Sequence, residues 1–380
     1  MSNICDYIQW RGDLTFEESP LNAIDSVIFC QLSYLEFRNL LPSDFSHGTS
    51  IRDAALLYVQ NTTTTPFGAF PSPDTEHLLQ LAGESKRFGS ILMKGYISKL
   101  DEEIEEQFAA VTYDLQNGTH YVAFRGTDDT FLGWKEDFFM SYMEIVPAQK
   151  DAVTYLEWVA DKVRGKLYVG GHSKGGNLAM YASCFANKSV YKRILKIFNF
   201  DGPGFEDRVF QKEELRKLPE KLEMYVPHFS IVGLLMNIND SYSIMESDGS
   251  GIGQHNPFNW HLLGTEFILL DELGEDSQFI KKTVDNWLTR VDLEKRKQFV
   301  TGLFAIFENA QIKTLSELST KWLRNSQQII KAISSMEPEL KEACLQVIML
   351  FFETAKDHIP SIKDLLPTEF DLFKKRNRIL

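Results

Sequence analysis

The chain has 380 residues, with 43% hydrophobic residues, 24% charged residues and a net charge of −13. These proportions are those of an ordinary globular protein and argue against extensive disorder. The acidic excess disfavours binding to nucleic acid or to an anionic membrane surface, because both depend on Lys and Arg. At this length we expect one large domain with an appendage.

The beginning of the chain, residues 1–6, contains no basic region followed by an apolar run. No secretory signal is predicted, and we expect a cytoplasmic protein. The longest apolar run late in the chain, residues 347–352, is far shorter than the roughly 20 residues of a membrane span, so no transmembrane segment is expected. The four cysteines have no paired spacing, which favours buried thiols over disulfides or a metal site.

The first 100 residues show no repeat, and we expect them to pack on the following domain as an N-terminal segment. Two β-prone runs then follow, at residues 108–115 and 120–124. The intervening Gln116-Asn117-Gly118-Thr119 is a strong hairpin signal. These residues predict two adjacent antiparallel strands.

After this hairpin, predicted helices and strands alternate. They are a helix at 148–166, a strand at 167–170, a helix at 175–187, a strand at 194–200, a polar helical insert at 206–218, and strands at 222–226 and 242–246. The alternation predicts an α/β fold with a mostly parallel sheet flanked by helices. Beyond Gly274 the pattern is that of amphipathic helices, so we expect an α/β domain of residues 1–274 and a C-terminal helical extension or cap of residues 275–380.

The string Gly171-His172-Ser173-Lys174-Gly175 lies between a predicted strand and a predicted helix. A serine on such a turn is held in a strained conformation that exposes its hydroxyl, and the residues two before and two after it must be small. Glycine occupies both positions. The string therefore predicts Ser173 as the nucleophile of an α/β-hydrolase fold, with the Lys174 N–H at the helix start as an oxyanion-hole donor.

An activated serine needs a histidine base and a carboxylate that orients it. In this fold the base comes after the nucleophile and the acid, which leaves His228, His255 and His261. His228 comes early in the chain. We favour His255, in the loop after the predicted strand 242–246, over His261.

Asp201 is the favoured acid, because it follows the predicted strand 194–200 and enters the turn Gly202-Pro203-Gly204. This position would hold its carboxylate at the carboxyl edge of the sheet, where catalytic groups gather. A triad acid can also follow the next strand. Asp240 is therefore the main alternative, and Asp248 is another.

A further stretch resembles the class 3 lipases. It is Tyr121-Val122-Ala123-Phe124-Arg125-Gly126-Thr127, followed by Trp134 and Asp137 and later by the Gly-His-Ser-Lys-Gly-Gly string. The resemblance implies that Thr127 supplies an oxyanion-hole N–H, with its hydroxyl as a further candidate donor. It also implies that residues 128–135 lie where that family carries a lid.

The acid departs from the class 3 pattern, since residues 227–233 contain no Asp in an Asp-x-Val-Pro-like segment. Phe200-Asp201-Gly202-Pro203-Gly204 is more similar to the pancreatic lipase arrangement, which supports Asp201. Two N-terminal strings, Asp6-Tyr7-Ile8-Gln9-Trp10-Arg11-Gly12-Asp13 and Gln31-Leu32-Ser33-Tyr34-Leu35, resemble a bacterial family of uncharacterised lipase-like hydrolases. The resemblance thus covers residues 1–262.

Together these features predict a serine hydrolase that cleaves a small acyl or lipid carboxylic ester and requires no metal or organic cofactor. A thioesterase, an acyltransferase or a peptidase would use the same triad. Outside the enzymes, the alternative is a non-catalytic scaffold that binds a protein partner through its helical tail.

Overall fold

The computed structural model describes residues 2–61, 74–128, 130–238, 242–249 and 251–309. The α-helices are α1 Ile4–Arg11, α2 Ala23–Leu32, α3 Ile51–Asn61, α4 Asp74–Glu84, α5 Phe131–Phe139, α6 Pro147–Lys162, α7 Lys174–Phe185, α8 Lys188–Tyr191, α9 Asp207–Phe210, α10 Glu275–Arg290 and α11 Leu293–Asn309. The strands are β1 Thr49–Ser50, β2 Leu92–Asp101, β3 Glu106–Asp114, β4 Thr119–Phe124, β5 Lys166–His172, β6 Ile194–Phe200, β7 Leu222–Pro227, β8 Ser243–Met245, β9 Leu262–Leu263, β10 Glu266–Phe267 and β11 Leu269–Leu270.

The chain divides into two compact units, Met1–Val300 and Thr301–Leu380. The first unit contains the sheet and also α10, whose first residue is where the predicted helical extension begins. The predicted domain boundary after residue 274 stays a prediction. Residues 310–380 of the predicted extension lie outside the described residues.

Within the described residues, nine strands form one sheet in the order β1-β2-β3-β4-β5-β6-β7-β8-β11. The strands from β4 to β8 are parallel to one another, whereas β1 to β4 pair antiparallel and β11 pairs antiparallel with β8. The fold is α/β, but the sheet is mixed, and the predicted mostly parallel arrangement holds for its centre. The connections β2–β3 and β3–β4 are short turns, and a short turn can join antiparallel strands only.

Side chains of β4 alternate between the two faces of the sheet. Tyr121 and Ala123 belong to a hydrophobic core shared with α1 to α4, and Val122 and Phe124 belong to a second core shared with α6 and α7. Such burial on both faces is typical of parallel strands covered by helices on each side. Helices therefore flank the central sheet on both faces.

Most predicted elements are confirmed close to their predicted bounds, including the hairpin of β3 and β4. The polar insert at 206–218 is not one helix. It consists of the short α9 and a 3₁₀ segment, Glu213–Glu220, that contains Pro219, whose ring cannot continue an α-helix. The two-residue strands β9 to β11 are too short to give an alternating pattern in the sequence.

Across the described ranges, no helix combines the length and the apolar character needed to cross a bilayer.

Candidate active site

Ser173 lies on the turn from β5 into α7, as predicted from its motif. Its backbone has φ 58° and ψ −133°, a conformation that residues other than glycine rarely adopt. The Ser173 N–H donates to the carbonyl oxygen of Phe200 at 2.9 Å, which fixes the turn to the end of β6. Strain of this kind is what a turn that lifts a nucleophile from the sheet requires.

The two glycines of the motif allow three backbone segments to approach closely. A Cβ atom on Gly171 would lie 2.1 Å from the backbone of Gly175, and one on Gly175 would lie 2.1 Å from the carbonyl oxygen of Phe124. Neither contact is sterically possible. The turn can therefore close on itself only with glycine at position 171, and it can pack against the end of β4 only with glycine at position 175.

His255 and Asp201 meet directly, although 54 residues separate them. Asp201 follows β6, and His255 ends a 3₁₀ segment, Gly251–His255, that follows β8. The His255 Nδ1 is 2.6 Å from Asp201 Oδ2, and both side chains are buried. This is the geometry by which an acid orients a histidine base through Nδ1.

His172, the residue before Ser173, connects the His255 loop to the serine turn. The two imidazole rings lie 4.5 Å apart between centroids, and His172 Nε2 donates to the His255 carbonyl oxygen at 2.8 Å. Burial and the neighbouring His255 hold the pKa of His172 well below its usual value, so its ring is neutral. Because Nε2 carries the proton, Nδ1 accepts from the Tyr34 hydroxyl at 2.9 Å.

Gln254 holds the loop that carries His255. Its Oε1 accepts from the Phe229 N–H at 2.9 Å and from the Ser247 hydroxyl at 2.7 Å. Its carbonyl oxygen accepts from the indole N–H of the buried Trp260 at 2.7 Å. His255 is therefore positioned by the side-chain hydrogen bonds of its neighbour Gln254 and of Trp260.

Thr127 lies beyond the end of β4. Strand β4 pairs with β5, and β5 leads into the Ser173 turn. Its hydroxyl donates to Asp137 Oδ2 at 2.5 Å, so the hydroxyl hydrogen is already used. The Thr127 backbone N–H is therefore the better candidate for an oxyanion donor. Burial raises the pKa of Asp137 to about 7, against the opposing effect of the Lys174 charge.

The Lys174 side chain is directed into the protein, and its Nζ donates to the Gln107 carbonyl oxygen at 2.8 Å and to Glu136 Oε2 at 2.9 Å. Both partners of the Lys174–Glu136 ion pair are almost completely buried. Glu136 Oε1 also accepts from the Ala148 N–H at 2.9 Å. The Lys174 backbone N–H belongs to the first turn of α7, where N–H groups have no partner within the helix.

The segment predicted to lie at a lid position is tied to β3 by Gln107. The Gln107 side chain accepts from the Asp128 N–H at 3.2 Å and donates to the Thr130 hydroxyl at 3.0 Å. Residue 129 lies outside the described residues, and α5 begins at Phe131. A role of residues 128–135 as a lid stays a prediction.

Of the alternative base and acids, His261 and Asp248 contact each other, and Asp240 lies outside the described residues. His261 lies between two carboxylates: its Nε2 is 2.9 Å from Asp248 Oδ2, and its Nδ1 is 3.3 Å from Glu246 Oε2. Although burial opposes it, these two carboxylates raise the pKa of His261. Asp240, the main alternative acid, lies outside the described residues.

Three residues that hold Asp201 or His172 in place were given no role by the sequence analysis. Ser230 and Gly233 donate to Asp201 Oδ1 at 2.5 and 3.1 Å, and Tyr34 orients His172. Each contact joins residues far apart in the chain, with no local motif around it. Tyr34 lies in the string Gln31-Leu32-Ser33-Tyr34-Leu35, which resembles lipase-like hydrolases, but the resemblance implies no role for it.

Among the described residues, no group of three or more His, Cys, Asp or Glu side chains clusters as a metal site would require. The groups gathered here are those of acid–base and nucleophilic chemistry.

Comparison with known proteins identifies a family for this chain. No curated protein matches the chain. A solved structure, described as the crystal structure of M37 lipase, is 14% identical over 56% of this chain and 68% of that chain, with a TM-score of 0.34. A likeness this weak supports no conclusion about activity. The Mbeg1-like family model matches residues 82–305, and because this is more than half of the chain, the protein belongs to the Mbeg1-like family.

Proposed function

We propose that the protein is a serine hydrolase of the α/β-hydrolase fold that cleaves carboxylic esters with Ser173, His255 and Asp201. The observation that carries the proposal is the 2.6 Å hydrogen bond between His255 Nδ1 and Asp201 Oδ2, made beside the strained turn of Ser173. The Mbeg1-like family is lipase-like, which agrees with this activity.

The order of strands explains how these groups come together. Parallel neighbouring strands have their carboxyl ends at one edge of a sheet, and that edge is where ligands bind in α/β proteins. Ser173 follows β5, Asp201 follows β6, Thr127 follows β4 and His255 comes after β8. Four strands of the parallel part of the sheet, β4, β5, β6 and β8, thus lead to the proposed nucleophile, base, acid and two oxyanion donors, which supports their acting at one edge of the sheet.

In the proposed reaction, Ser173 Oγ attacks the acyl carbon while His255 Nε2 takes its proton. The backbone N–H groups of Lys174 and Thr127 stabilise the oxyanion, an effect worth roughly 3 to 4 kcal/mol for one donor. His255 then protonates the leaving alcohol, and an acyl–Ser173 ester remains. Water, deprotonated by His255, attacks the acyl carbon, and His255 returns this proton to Ser173 Oγ as the acyl–Ser173 bond breaks and the acid is released. The Asp201 carboxylate orients the ring and stabilises the imidazolium.

The test is hydrolysis of p-nitrophenyl esters of increasing chain length. Short esters come first, because only 8% of the Ser173 surface is exposed. We expect Ser173→Ala and His255→Ala to lower kcat by at least about 10⁴-fold, and Asp201→Asn to lower it almost as far, as in other triads.

His261→Ala and Asp240→Asn are the matched controls, since they remove the alternative base and acid. We expect each to stay within about tenfold of the native kcat, because neither removes a member of the proposed triad. Native activity that survives Ser173→Ala would overturn the assignment of the nucleophile. Loss of activity in Asp240→Asn with Asp201→Asn active would move the acid to Asp240.

A further inference from the structure

The Asp201 carboxylate is held from the side opposite to His255. Its Oδ2 accepts from His255, while its Oδ1 accepts from the Ser230 hydroxyl at 2.5 Å and from the Gly233 N–H at 3.1 Å. A Cβ atom on Gly233 would lie 2.2 Å from Oδ1, so the close approach of that N–H requires glycine. Two donors on Oδ1 therefore fix the plane in which Oδ2 meets the imidazole.

Ser230 is itself held by the first turn of α10. The Ser277 hydroxyl accepts from the Ser230 N–H at 3.1 Å and donates to the Ser230 carbonyl oxygen at 2.6 Å. Both serines are almost completely buried, with exposed fractions of 1% for Ser230 and 0% for Ser277. One hydroxyl thus satisfies both backbone polar groups of Ser230.

A second contact aligns α10 with the same loop. The N–H of Gly274, which precedes α10, donates to the carbonyl oxygen of His228 at 3.0 Å. The chain from 228 to 230 and the chain from 274 to 277 are therefore joined by three hydrogen bonds. If the first turn of α10 moved, Ser230 would move with it, and its hydroxyl, which donates to Asp201, would be displaced.

We propose that α10 positions the catalytic acid, through the relay Ser277–Ser230–Asp201, and so forms part of the active site. Ser230 and Ser277 are positioning residues that act on His255 through Asp201. This inference rests on the proposed function. It predicts that a change at the α10 start alters turnover more than it alters substrate binding, because the oriented imidazole matters most in the transition state.

The test compares Ser277→Ala and Ser230→Ala with Ser183→Ala in the full chain. Ser183 is the matched control: it is also buried, and its hydroxyl has no hydrogen-bond partner among the described residues. We expect both relay variants to lower kcat by about ten- to a hundredfold with KM nearly unchanged, since a displacement of about 1 Å can cost 10²-fold. Ser277→Thr keeps the hydroxyl and should restore most of kcat.

A second readout is the low-field NMR signal of the His255 Nδ1 proton, assigned by its loss in His255→Ala. We expect this signal in the native protein and exchange broadening in Ser277→Ala, with Ser183→Ala unchanged. If Ser277→Ala does not fold, Ser230→Ala decides by the same two readouts.

Native kcat and an unchanged proton signal in both relay variants would overturn the inference. Equal losses of kcat in the relay variants and in Ser183→Ala would overturn it as well, because a general packing effect would then suffice. A native protein without Ser173-dependent turnover would instead contradict the proposed function. In that case the proton signal alone decides whether α10 positions the acid.

Discussion

At the scale of single residues, Asp137 makes the stability of the fold depend on pH. Its carboxylate accepts from the hydroxyl of Thr127, a residue of the candidate oxyanion hole. Burial raises the pKa of Asp137 to about 7, although Lys174, Thr127 and His255 favour its charged form. The folded protein therefore binds a proton at Asp137 more tightly than the unfolded chain does, because an Asp in the unfolded chain has a pKa of about 3.9. The stability that Asp137 contributes is fully present below about pH 3.9, the pKa of an Asp in the unfolded chain. It is lost as the pH rises through about 7, the pKa of Asp137 in the folded protein.

We expect the native free energy of unfolding to fall relative to that of Asp137→Asn between about pH 5 and pH 7, and the difference to level off above about pH 8. Glu106, whose pKa burial also raises to about 7, is present in both proteins and cancels in the difference. Urea unfolding at each pH measures the effect.

Asp128→Asn is the control for this titration. Burial acts to raise the pKa of Asp128, but the Arg125 charge and the hydrogen bonds from Thr130 and Gln107 lower it overall. The contribution of Asp128 is lost only in more acidic solution, so its difference from native should be flat between about pH 5 and pH 8. A flat difference for Asp137→Asn too would show that the Asp137 pKa is not raised.

At the scale of elements, the turn between β5 and α7 depends on backbone contact with β4. The carbonyl oxygen of Phe124 occupies the space that a side chain on Gly175 would need. Backbone atoms on both sides leave no flexible group that could move aside. The position of Ser173 is thus coupled to the packing of α7 on the end of β4.

We therefore expect Gly175→Ala to lower kcat by more than about tenfold and to destabilise the fold, because a misplaced catalytic group loses turnover steeply. Ester hydrolysis and urea unfolding measure the two effects. Gly264→Ala is the control: Gly264 has φ 64° and no atom within 4 Å of its Cβ position. It should cost about 1 to 3 kcal/mol of backbone strain and leave kcat unchanged. A native kcat in Gly175→Ala would contradict this prediction, because Ser173 would then tolerate the backbone displacement that the added Cβ requires.

The elements near the site were predicted from the sequence to different degrees. The β3–β4 hairpin and the strands β5 to β7 follow from turn residues and from β-prone runs, which are local signals. The antiparallel strand β11 and the short β9 and β10 could not be predicted, since two residues give no periodicity. The mixed character of the sheet is therefore a finding of the structure.

At the scale of the whole molecule, the residues of the candidate site come from segments that are distant in sequence. Ser173 was predicted because its motif is contiguous, and His255 and Asp201 were proposed from their order along the chain. The structure joins His255 to Asp201, a contact that spacing alone could not establish. Ser230 and Ser277 could not be foreseen, because their 47-residue separation closes only when α10 packs beside the loop after β7.

The central claim is that Ser173 is an activated nucleophile, and labelling with a fluorophosphonate probe tests it most directly. The probe reacts only with a serine whose hydroxyl is activated by a base. We predict one adduct on the native protein, located at Ser173 by peptide mass spectrometry, and no adduct on folded Ser173→Ala or His255→Ala. A folded native protein that stays unlabelled, or a label that persists in Ser173→Ala, would contradict the account.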